Sequence, residues 1–328
     1  MRTVTFLASV LALTAHVHAG NPVTSVSFTN LGGSGQYPLV TNQLPGTFPN
    51  CPATPPSCVR QMHAVSGNLS PFNEEMSIQL RGPMVISNIA VYQPDGTGDY
   101  SRVSYWTRGG VSENISFLNN LGGGASGEWS ICHGNSLSWA SADGTKNVGK
   151  STVFGGTLGN AIELTVLSGQ ACTAQTCGWY RPVGMRGWAG EKILVVEASM
   201  PHTVPGFTAG QDRDKPAIWS LNAKIPRTAQ YGCNCQRDGC GELDIAEVVN
   251  QGEERCWVTM YSWQASKGSP DYFVRPTSKP AVFVTHYDVP NKAIRIQRLE
   301  AGQFQYTKTL AKTTVSSWAA RKGTVINL

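Results

Sequence analysis

The segment Gly241-Glu242-Leu243-Asp244-Ile245-Ala246-Glu247-Val248-Val249 places three carboxylates within six residues of an apolar, β-forming stretch. A charged carboxyl that faces a partly buried surface destabilises a fold by several kcal/mol unless it is paired or protonated. The segment therefore predicts a strand that lines a cleft, in which one carboxyl is kept protonated and another is ionised. Two such carboxyls on either side of a scissile bond are the requirement of glycoside hydrolysis.

The spacing of the three carboxylates predicts an irregularity in this strand. Glu242 and Asp244 share one face of a regular strand, whereas Glu247 lies at an odd offset and would face the opposite way. A β-bulge around Ile245-Ala246 would return Glu247 to the face of Glu242, and bulges are frequent beside active sites. The alternative is that Glu247 faces solvent and the three carboxylates form a solvated edge.

The pattern Glu-x-Asp-x-x-Glu, preceded by Lys215-Pro216-Ala217-Ile218-Trp219-Ser220-Leu221, resembles glycoside hydrolase family 16, which includes the laminarinases. The resemblance is closer to fungal cell-wall proteins of the Tos type, through the run from Ala217 to Thr228 and through Gly239-Cys240-Gly241-Glu242-Leu243-Asp244. The N-terminal run Gly67-Asn68-Leu69-Ser70-Pro71-Phe72-Asn73-Glu74-Glu75 is similar to the Gly-rich domain of the same proteins.

This resemblance implies an all-β fold, a jelly-roll β-sandwich with a concave carbohydrate-binding face. It also implies that Glu242 is the nucleophile, Glu247 the acid/base, and Asp244 the residue that hydrogen-bonds and tunes the nucleophile. Many family members carry Trp immediately before Pro-Ala-x-Trp, whereas this chain has Lys215, so one aromatic subsite wall differs.

The activity implied is that of a secreted retaining endo-β-1,3-glucanase that acts on cell-wall glucan by double displacement. Glu247 would protonate the leaving oxygen while Glu242 attacks, and a negative Asp244 would help to hold Glu247 protonated. If an acceptor sugar outcompetes water, the same intermediate yields transglycosylation. Two alternatives are a non-catalytic glucan-binding or structural protein of the wall and a zinc-stabilised binding module centred on the cysteines.

Residues 1–19 have a basic start, a short apolar stretch and the small-residue ending Val17-His18-Ala19, which predict a cleaved signal peptide. No later segment is long and apolar enough for a membrane span, and the C-terminus lacks the pattern of a lipid-anchor signal. We expect a secreted protein that is extracellular or held in the cell wall.

The chain has nine cysteines, which in an exported protein indicate disulfides. Two local pairs are expected, Cys51 with Cys58 and Cys172 with Cys177. The odd number of cysteines leaves one unpaired, most simply Cys132. Close to the carboxylates lies a group of four that we expect to be mostly oxidised: Cys233, Cys235, Cys240 and Cys256. Cys-x-Cys followed by Cys240 lacks the paired C-x-x-C knuckles usual for zinc, so no metal is expected.

The net charge is +5 and charged residues make up 14% of the chain, without a basic stripe. Nucleic acid is therefore not an expected partner, and the composition suits an extracellular β-protein that binds a neutral β-glucan. We expect a monomer without a cofactor. The sequence contains two glycosylation acceptors, Asn114-Ile115-Ser116 and Asn68-Leu69-Ser70. The second is a weaker acceptor because Pro71 follows it.

Short β-branched and aromatic segments recur between Gly, Pro and Asn turns and predict a sandwich. The predicted strands are 76–80, 84–92, 161–167, 192–198, 217–221, 242–249, 257–263, 282–286 and 293–299. The domains expected are the signal peptide 1–19, a Gly/Pro-rich extension at 20–66 and a β-sandwich at 67–328.

The strand after the carboxylates is their expected hairpin partner and alternates aromatic residues on one face. We expect Trp219, Tyr261 and Trp263 to line the cleft, because aromatic rings stack on the apolar faces of sugars, and Trp257 to fill the core. His286 lies in a segment similar to the family's late cleft strand and is the fourth substrate-binding candidate.

Overall fold

A computed structural model describes residues 20–42, 59–121, 137–173, 183–206, 213–228 and 235–328. The described chain is nearly all β and forms two large sheets, as predicted for a β-sandwich. Residues 1–19, the predicted signal peptide, lie outside the described residues.

One ten-stranded sheet, the back sheet, has the order β21-β6-β5-β13-β19-β20-β1-β22, with β11 paired to β5 and β7 to β6. Its strands are β1 (Ser25–Thr29), β5 (Met84–Pro94), β6 (Tyr100–Thr107), β7 (Ser112–Glu113), β11 (Thr157–Leu158), β13 (Lys192–Ser199), β19 (Ala281–Asp288), β20 (Ala293–Glu300), β21 (Thr309–Leu310) and β22 (Thr324–Asn327).

The second ten-stranded sheet, the front sheet, has the order β10-β9-β8-β12-β4-β14-β15-β16-β17, with β18 paired to β16. Its strands are β4 (Met76–Arg81), β8 (Ile115–Asn119), β9 (Ser138–Ala140), β10 (Asn147–Val148), β12 (Glu163–Ser168), β14 (Ala217–Asn222), β15 (Glu242–Glu247), β16 (Arg255–Tyr261), β17 (Ser266–Gly268) and β18 (Phe273–Val274). As predicted, β15 and β16 are antiparallel neighbours.

Short elements complete the described chain. Strands β2 (Gly35–Asn42) and β3 (Val59–Val65) form a separate antiparallel hairpin. The helices are Lys224–Thr228 and Lys312–Ala319, with a 3-10 turn at Gln236–Asp238. Among the described residues, no helix has the length and apolar character to cross a membrane.

The main core lies between the two sheets and follows the two-residue alternation of the strands. The front sheet contributes Ile78, Ile218 and Leu243 to it, and the back sheet contributes Leu194 and Phe283. Burial of such side chains is the main stabilising contribution to a sandwich of this kind.

Each sheet also has an outer face. On the outer face of the back sheet, Val195 and Val284 pack with Val315 and Trp318 of the helix Lys312–Ala319. On the outer face of the front sheet, Trp219 and Leu221 pack with Tyr37 of the β2–β3 hairpin. The segment 20–66 thus contributes β1 to the back sheet and this hairpin to the front face.

Candidate active site

The carboxylate strand β15 is bulged where the sequence predicts it. Against β16, Asp244 pairs with Thr259 but Glu247 pairs with Trp257, so three steps on one strand match two on the other. Against β14, Ala246 and Asp244 pair with consecutive residues, so Ile245 is the extra residue. Both Ile245 and Ala246 are buried in the core between the sheets. The predicted bulge is confirmed.

Because residues paired across antiparallel strands lie on the same face, the register builds three parallel rows on the outer face of the front sheet. The first row is Glu163, Arg81, Ala217, Glu247 and Trp257. The second is Thr165, Gln79, Trp219, Asp244 and Thr259. The third is Ser77, Leu221, Glu242 and Tyr261. The three carboxylates of β15 therefore share one face, in successive rows.

A cavity of about 110 Å³ opens over these rows. It is lined by Arg81, Glu163, Trp219, Leu221, Ile225, Gln236, Glu242, Asp244 and Glu247. A neighbouring cavity of about 280 Å³ shares Arg81 and Glu247 with the first and is further lined by Arg213 and Lys215. The candidate site therefore extends beyond the carboxylates on the side of Glu247.

Glu242 and Asp244 are buried and hydrogen-bonded to each other. Burial raises the pKa of Glu242 to about 7, against hydrogen bonds from Gln236 and Asp244 that lower it, and the charge of Glu247 adds to the rise. Burial and the charges of Glu242 and Glu247 raise the pKa of Asp244 well above its usual range. The pair thus retains a proton near neutral pH, with Asp244 as the donor and Glu242 as the acceptor.

This arrangement corrects one electrostatic expectation from the sequence. A negative Asp244 was expected to keep Glu247 protonated, but Asp244 itself holds the proton. Glu247 instead accepts a hydrogen bond at Oε1 from Nη2 of Arg81, at 2.9 Å.

The aromatic candidates have different positions. Trp219 lies on the floor of the cavity and is 7% exposed. Tyr261 is half-buried beside Glu242, and burial together with the charges of Asp244, Glu242 and Glu247 raises its pKa. Trp263 does not line the cavity; it packs under the β2–β3 hairpin, where a Cβ at Gly35 would come within 2.2 Å of its ring. Trp257, predicted in the core, is half-buried on the outer face next to Glu247.

The placement of His286 at the carboxylate cleft is wrong. His286 belongs to β19 of the back sheet and lies on its outer face, because it alternates with the core residues Phe283 and Tyr287. Its Nε2 lies 3.1 Å from Oε1 of Glu191. The local sequence around His286 does not indicate which sheet its strand joins, and β19 joins the back sheet.

His286, Glu191 and Asp288 are the described residues best placed to hold a metal ion, with one potential ligand atom each, all within 4.8 Å of one another. The protein's own groups already satisfy these side chains. The Tyr100 hydroxyl donates to Glu191, and Arg295 and Asn291 donate to Asp288. These contacts account for the burial of the cluster without an ion.

Cys235 and Cys240 form a disulfide that encloses the turn Gln236–Asp238. Cys256 is a free thiol buried in the core, which corrects its assignment as a disulfide candidate; it packs 3.9 Å from the sulfur of Met200. Cys172 is disulfide-bonded. The remaining candidates lie outside the described residues: Cys51, Cys58, Cys177, Cys233 and the expected odd cysteine Cys132.

The two glycosylation acceptors lie between strands, and Asn68 forms an isolated bridge with Gly32. Asn114 is exposed between β7 and β8, and its Nδ2, the atom that would carry a glycan, donates to the carbonyl of Val103 at 2.8 Å. Asn68 is half-buried and precedes Leu69. Glycosylation at both stays a prediction.

Three polar or charged residues of the cavity are not among the candidates that the sequence predicts: Arg81, Glu163 and Gln236. Arg81 offered the clearest signal, because a single charge ends the apolar strand Met76–Arg81 and requires a partner there. That partner, Glu247, is 166 residues away in the chain.

The chain matches two families, described as "Cell wall protein YJL171C/Tos1, C-terminal" over residues 98–318 and "Cell wall protein YJL171C/Tos1, N-terminal" over residues 24–94. No solved structure matches it significantly.

Among the curated relatives, a Schizosaccharomyces pombe protein is 37% identical over 70% of this chain and 48% of its own length. A Saccharomyces cerevisiae protein is 38% identical over 69% of this chain and 50% of its own length. A Candida albicans protein is 27% identical over 99% of this chain and 98% of its own length. Each is named "Probable circularly permuted 1,3-beta-glucanase". The chain spans about half the length of the first two relatives. The extent of the match over both parts shows that this chain belongs to the YJL171C/Tos1 family of cell wall proteins.

Proposed function

We propose that this chain is a secreted retaining endo-β-1,3-glucanase that acts on cell-wall β-glucan by double displacement. The observation that carries the proposal is the bulge at Ile245, which brings Glu242, Asp244 and Glu247 to one face of a single cavity. The names of the relatives support the substrate class.

In the first step, Glu242 attacks the anomeric carbon while Glu247 donates a proton to the glycosidic oxygen. The carbon–oxygen bond to the leaving sugar breaks and a glycosyl ester forms on Glu242. In the second step, Glu247 takes a proton from water, the water oxygen bonds to the anomeric carbon, and Glu242 is released as a carboxylate. Asp244 donates a hydrogen bond to Glu242 and so stabilises the carboxylate before attack and after release.

A neutral glucan suits the surroundings of the carboxylates. The floor of the cavity offers the ring of Trp219, and Tyr261 lies beside Glu242. Aromatic rings of this kind contact the apolar faces of sugars, while Gln236 supplies a polar group for hydroxyls. We assign the secreted chain to the cell wall, as a monomer bound to its glucan.

The test is incubation of the wild-type protein and the Glu242→Gln variant with laminarin and linear β-1,3-oligosaccharides. We expect the wild type to release products that retain the β configuration. NMR of the anomeric protons during the reaction measures this configuration. The variant should lose more than about 1,000-fold in kcat, because the amide cannot form the glycosyl ester. His286→Ala, on the other sheet, is the control that should retain activity.

The products also separate the alternatives. Formation of oligosaccharides longer than the linear substrate would show that an acceptor sugar, and not water, takes the glycosyl group from Glu242, which is transglycosylation. If the wild type binds glucan without cleaving it, the alternative of a non-catalytic glucan-binding protein of the wall is favoured. Wild-type activity in the Glu242→Gln variant would remove Glu242 from the mechanism.

A further inference from the structure

We propose that Arg81 is a positioning residue for proton transfer, which holds the carboxyl of Glu247 in place for exchange with the glycosidic oxygen and with water. This inference rests on the proposed function. It starts from the hydrogen bond of 2.9 Å from Nη2 of Arg81 to Oε1 of Glu247.

The register explains how this contact forms across an intervening strand. Arg81 on β4 pairs with Ala217 on β14, and Ala217 pairs with Glu247 on β15. The methyl group of Ala217 is short, so the long side chain of Arg81 reaches over it to the carboxyl. A larger side chain at 217 would fill the space between the two charges.

The guanidinium of Arg81 is held by groups other than Glu247. Its Nε donates to the carbonyl of Lys215 at 2.7 Å, and the guanidinium lies 5.7 Å from the ring centre of Trp219. Nη1 lies 3.9 Å from Oε1 of Glu163 on the opposite side. The side chains of Arg81 and Glu247 are only 24% and 28% exposed. These contacts orient the guanidinium of Arg81 independently of its hydrogen bond to Glu247.

A fixed cation of this kind restricts the rotation of a catalytic carboxyl. Because Arg81 binds Oε1, Oε2 is the oxygen that we assign to proton exchange with the substrate. General acid catalysis depends on placing the exchanged proton within hydrogen-bond reach of the leaving oxygen. A displacement of about 1 Å can lower a rate by about 100-fold.

The test compares aryl β-glycosides of a β-1,3-linked glucose disaccharide whose phenol leaving groups differ in acidity. The readout is kcat/KM, which reports the first bond-breaking step. Assistance from Glu247 matters most for a poor leaving group such as phenol and least for 2,4-dinitrophenol. We expect Arg81→Met to lower kcat/KM by about 10-fold or more for phenol and by less than about 3-fold for 2,4-dinitrophenol.

Arg81→Lys, which keeps a charge but not the planar fork, should fall between the wild type and Arg81→Met. It also serves if the methionine variant does not fold. Glu247→Gln is the positive control and should show the same dependence more steeply.

Arg102 offers a matched negative control on the back sheet. It donates to the carbonyl of Tyr306 at 2.6 Å, pairs with Glu113 at 3.5 Å and lies 3.9 Å from the ring centre of Tyr105. Arg102→Met should change kcat/KM by the same small factor for every leaving group.

An equal loss across the whole series for both Arg81 variants, or no loss, would overturn the positioning role while leaving the glucanase proposal intact. A wild-type protein that cleaves neither the aryl glycosides nor laminarin would overturn the proposed function, and the role of Arg81 with it.

Discussion

Two pairs of carboxyls at the front sheet, one partly buried and one buried, differ in what surrounds them. Glu74 and Glu75 lie immediately before β4, are 20% and 14% exposed at the side chain, and have cations in contact. Glu74 accepts from Lys224 at 2.5 Å, and Glu75 accepts from Arg227 at 2.6 Å and Arg186 at 2.9 Å. Burial opposes the ionisation of both, but these cations outweigh it and hold the pKa of each below its usual range.

Glu242 and Asp244 are buried, and among the described residues no ion pair joins either of them to a cation. Burial therefore dominates, and the pKa of each carboxyl is raised. Burial alone therefore does not decide whether the pKa of a carboxyl is raised. Glu242 and Asp244 differ from Glu74 and Glu75 because no cation within the described residues forms an ion pair with them, and the charge of Arg81 does not outweigh the burial of Asp244. Carboxyls whose pKa is perturbed in this way are typical of active sites.

Replacing a carboxyl by an amide should change the free energy of unfolding in opposite directions for the two pairs. Glu75→Gln should lower the free energy of unfolding at pH 8 by about 2 to 4 kcal/mol, because it leaves buried Arg227 without its ion pair. Glu242→Gln should raise it by about 1 to 3 kcal/mol, because it removes a charge that burial disfavours.

The pH dependence separates the two causes. The raised pKa of Glu242 gives stability that is present below about pH 4.5 and lost as the pH rises towards 7, so the gain in Glu242→Gln should disappear at pH 5. The lowered pKa of Glu75 gives stability that is lost only below its ordinary range, so the loss in Glu75→Gln should persist at pH 5. Urea unfolding at both pH values measures this. A change in the free energy of unfolding of the same sign for Glu75→Gln and Glu242→Gln at pH 8 would contradict the different electrostatic settings of the two pairs.

The next prediction concerns the hydrogen bond between Asp244 and Glu242. This bond lowers the pKa of Glu242 against the effect of burial. Asp244→Ala removes it, so the acidic limb of the kcat/KM profile should move to higher pH by up to about 1 unit. Asp244→Asn still offers a donor and should move the limb less. A limb that moves to lower pH in the alanine variant would show that repulsion from Asp244 outweighs its hydrogen bond.

The sequence predicted the parts of this site that depend on local spacing. The odd offset of Glu247 from Glu242 required an extra residue in the strand, and the register confirms it at Ile245. The predicted strand 217–221 corresponds to Ala217–Asn222, because an alternating, β-branched and aromatic run between turns has few other solutions.

The rest depends on which strands become neighbours, and local pattern does not contain that information. His286 was placed at the cleft although β19 lies between β13 and β20 in the back sheet. Arg81 was missed because its contact with Glu247 requires the combined registers of β4, β14 and β15. Cys256 was expected to form a disulfide because it is close to the other cysteines in sequence, but its strand position points it into the core.

The last prediction concerns the loop closed by Cys235 and Cys240, which lies between Glu74 and Glu242. The disulfide between Cys235 and Cys240 closes the turn from which Gln236 reaches the cavity and hydrogen-bonds Glu242. At the end of this loop, Nδ2 of Asn222 donates both to the carbonyl of Cys240 and to Glu74, each at 2.8 Å. The loop is thus tied through Asn222 to Glu74 at one side and contacts Glu242 through Gln236 at the other.

Replacing both Cys235 and Cys240 by Ser should therefore loosen the side chain of Gln236 before it affects the sandwich. We expect KM for β-1,3-oligosaccharides to rise by about threefold, which corresponds to about 0.7 kcal/mol of binding. Hydrogen exchange should accelerate in residues 235–241 and stay unchanged in β14, because the loop opens locally while the strand opens only with the sheet. Faster exchange throughout β14 would mean instead that the disulfide stabilises the front sheet as a whole, and that the loop and the carboxylate strand unfold as one unit.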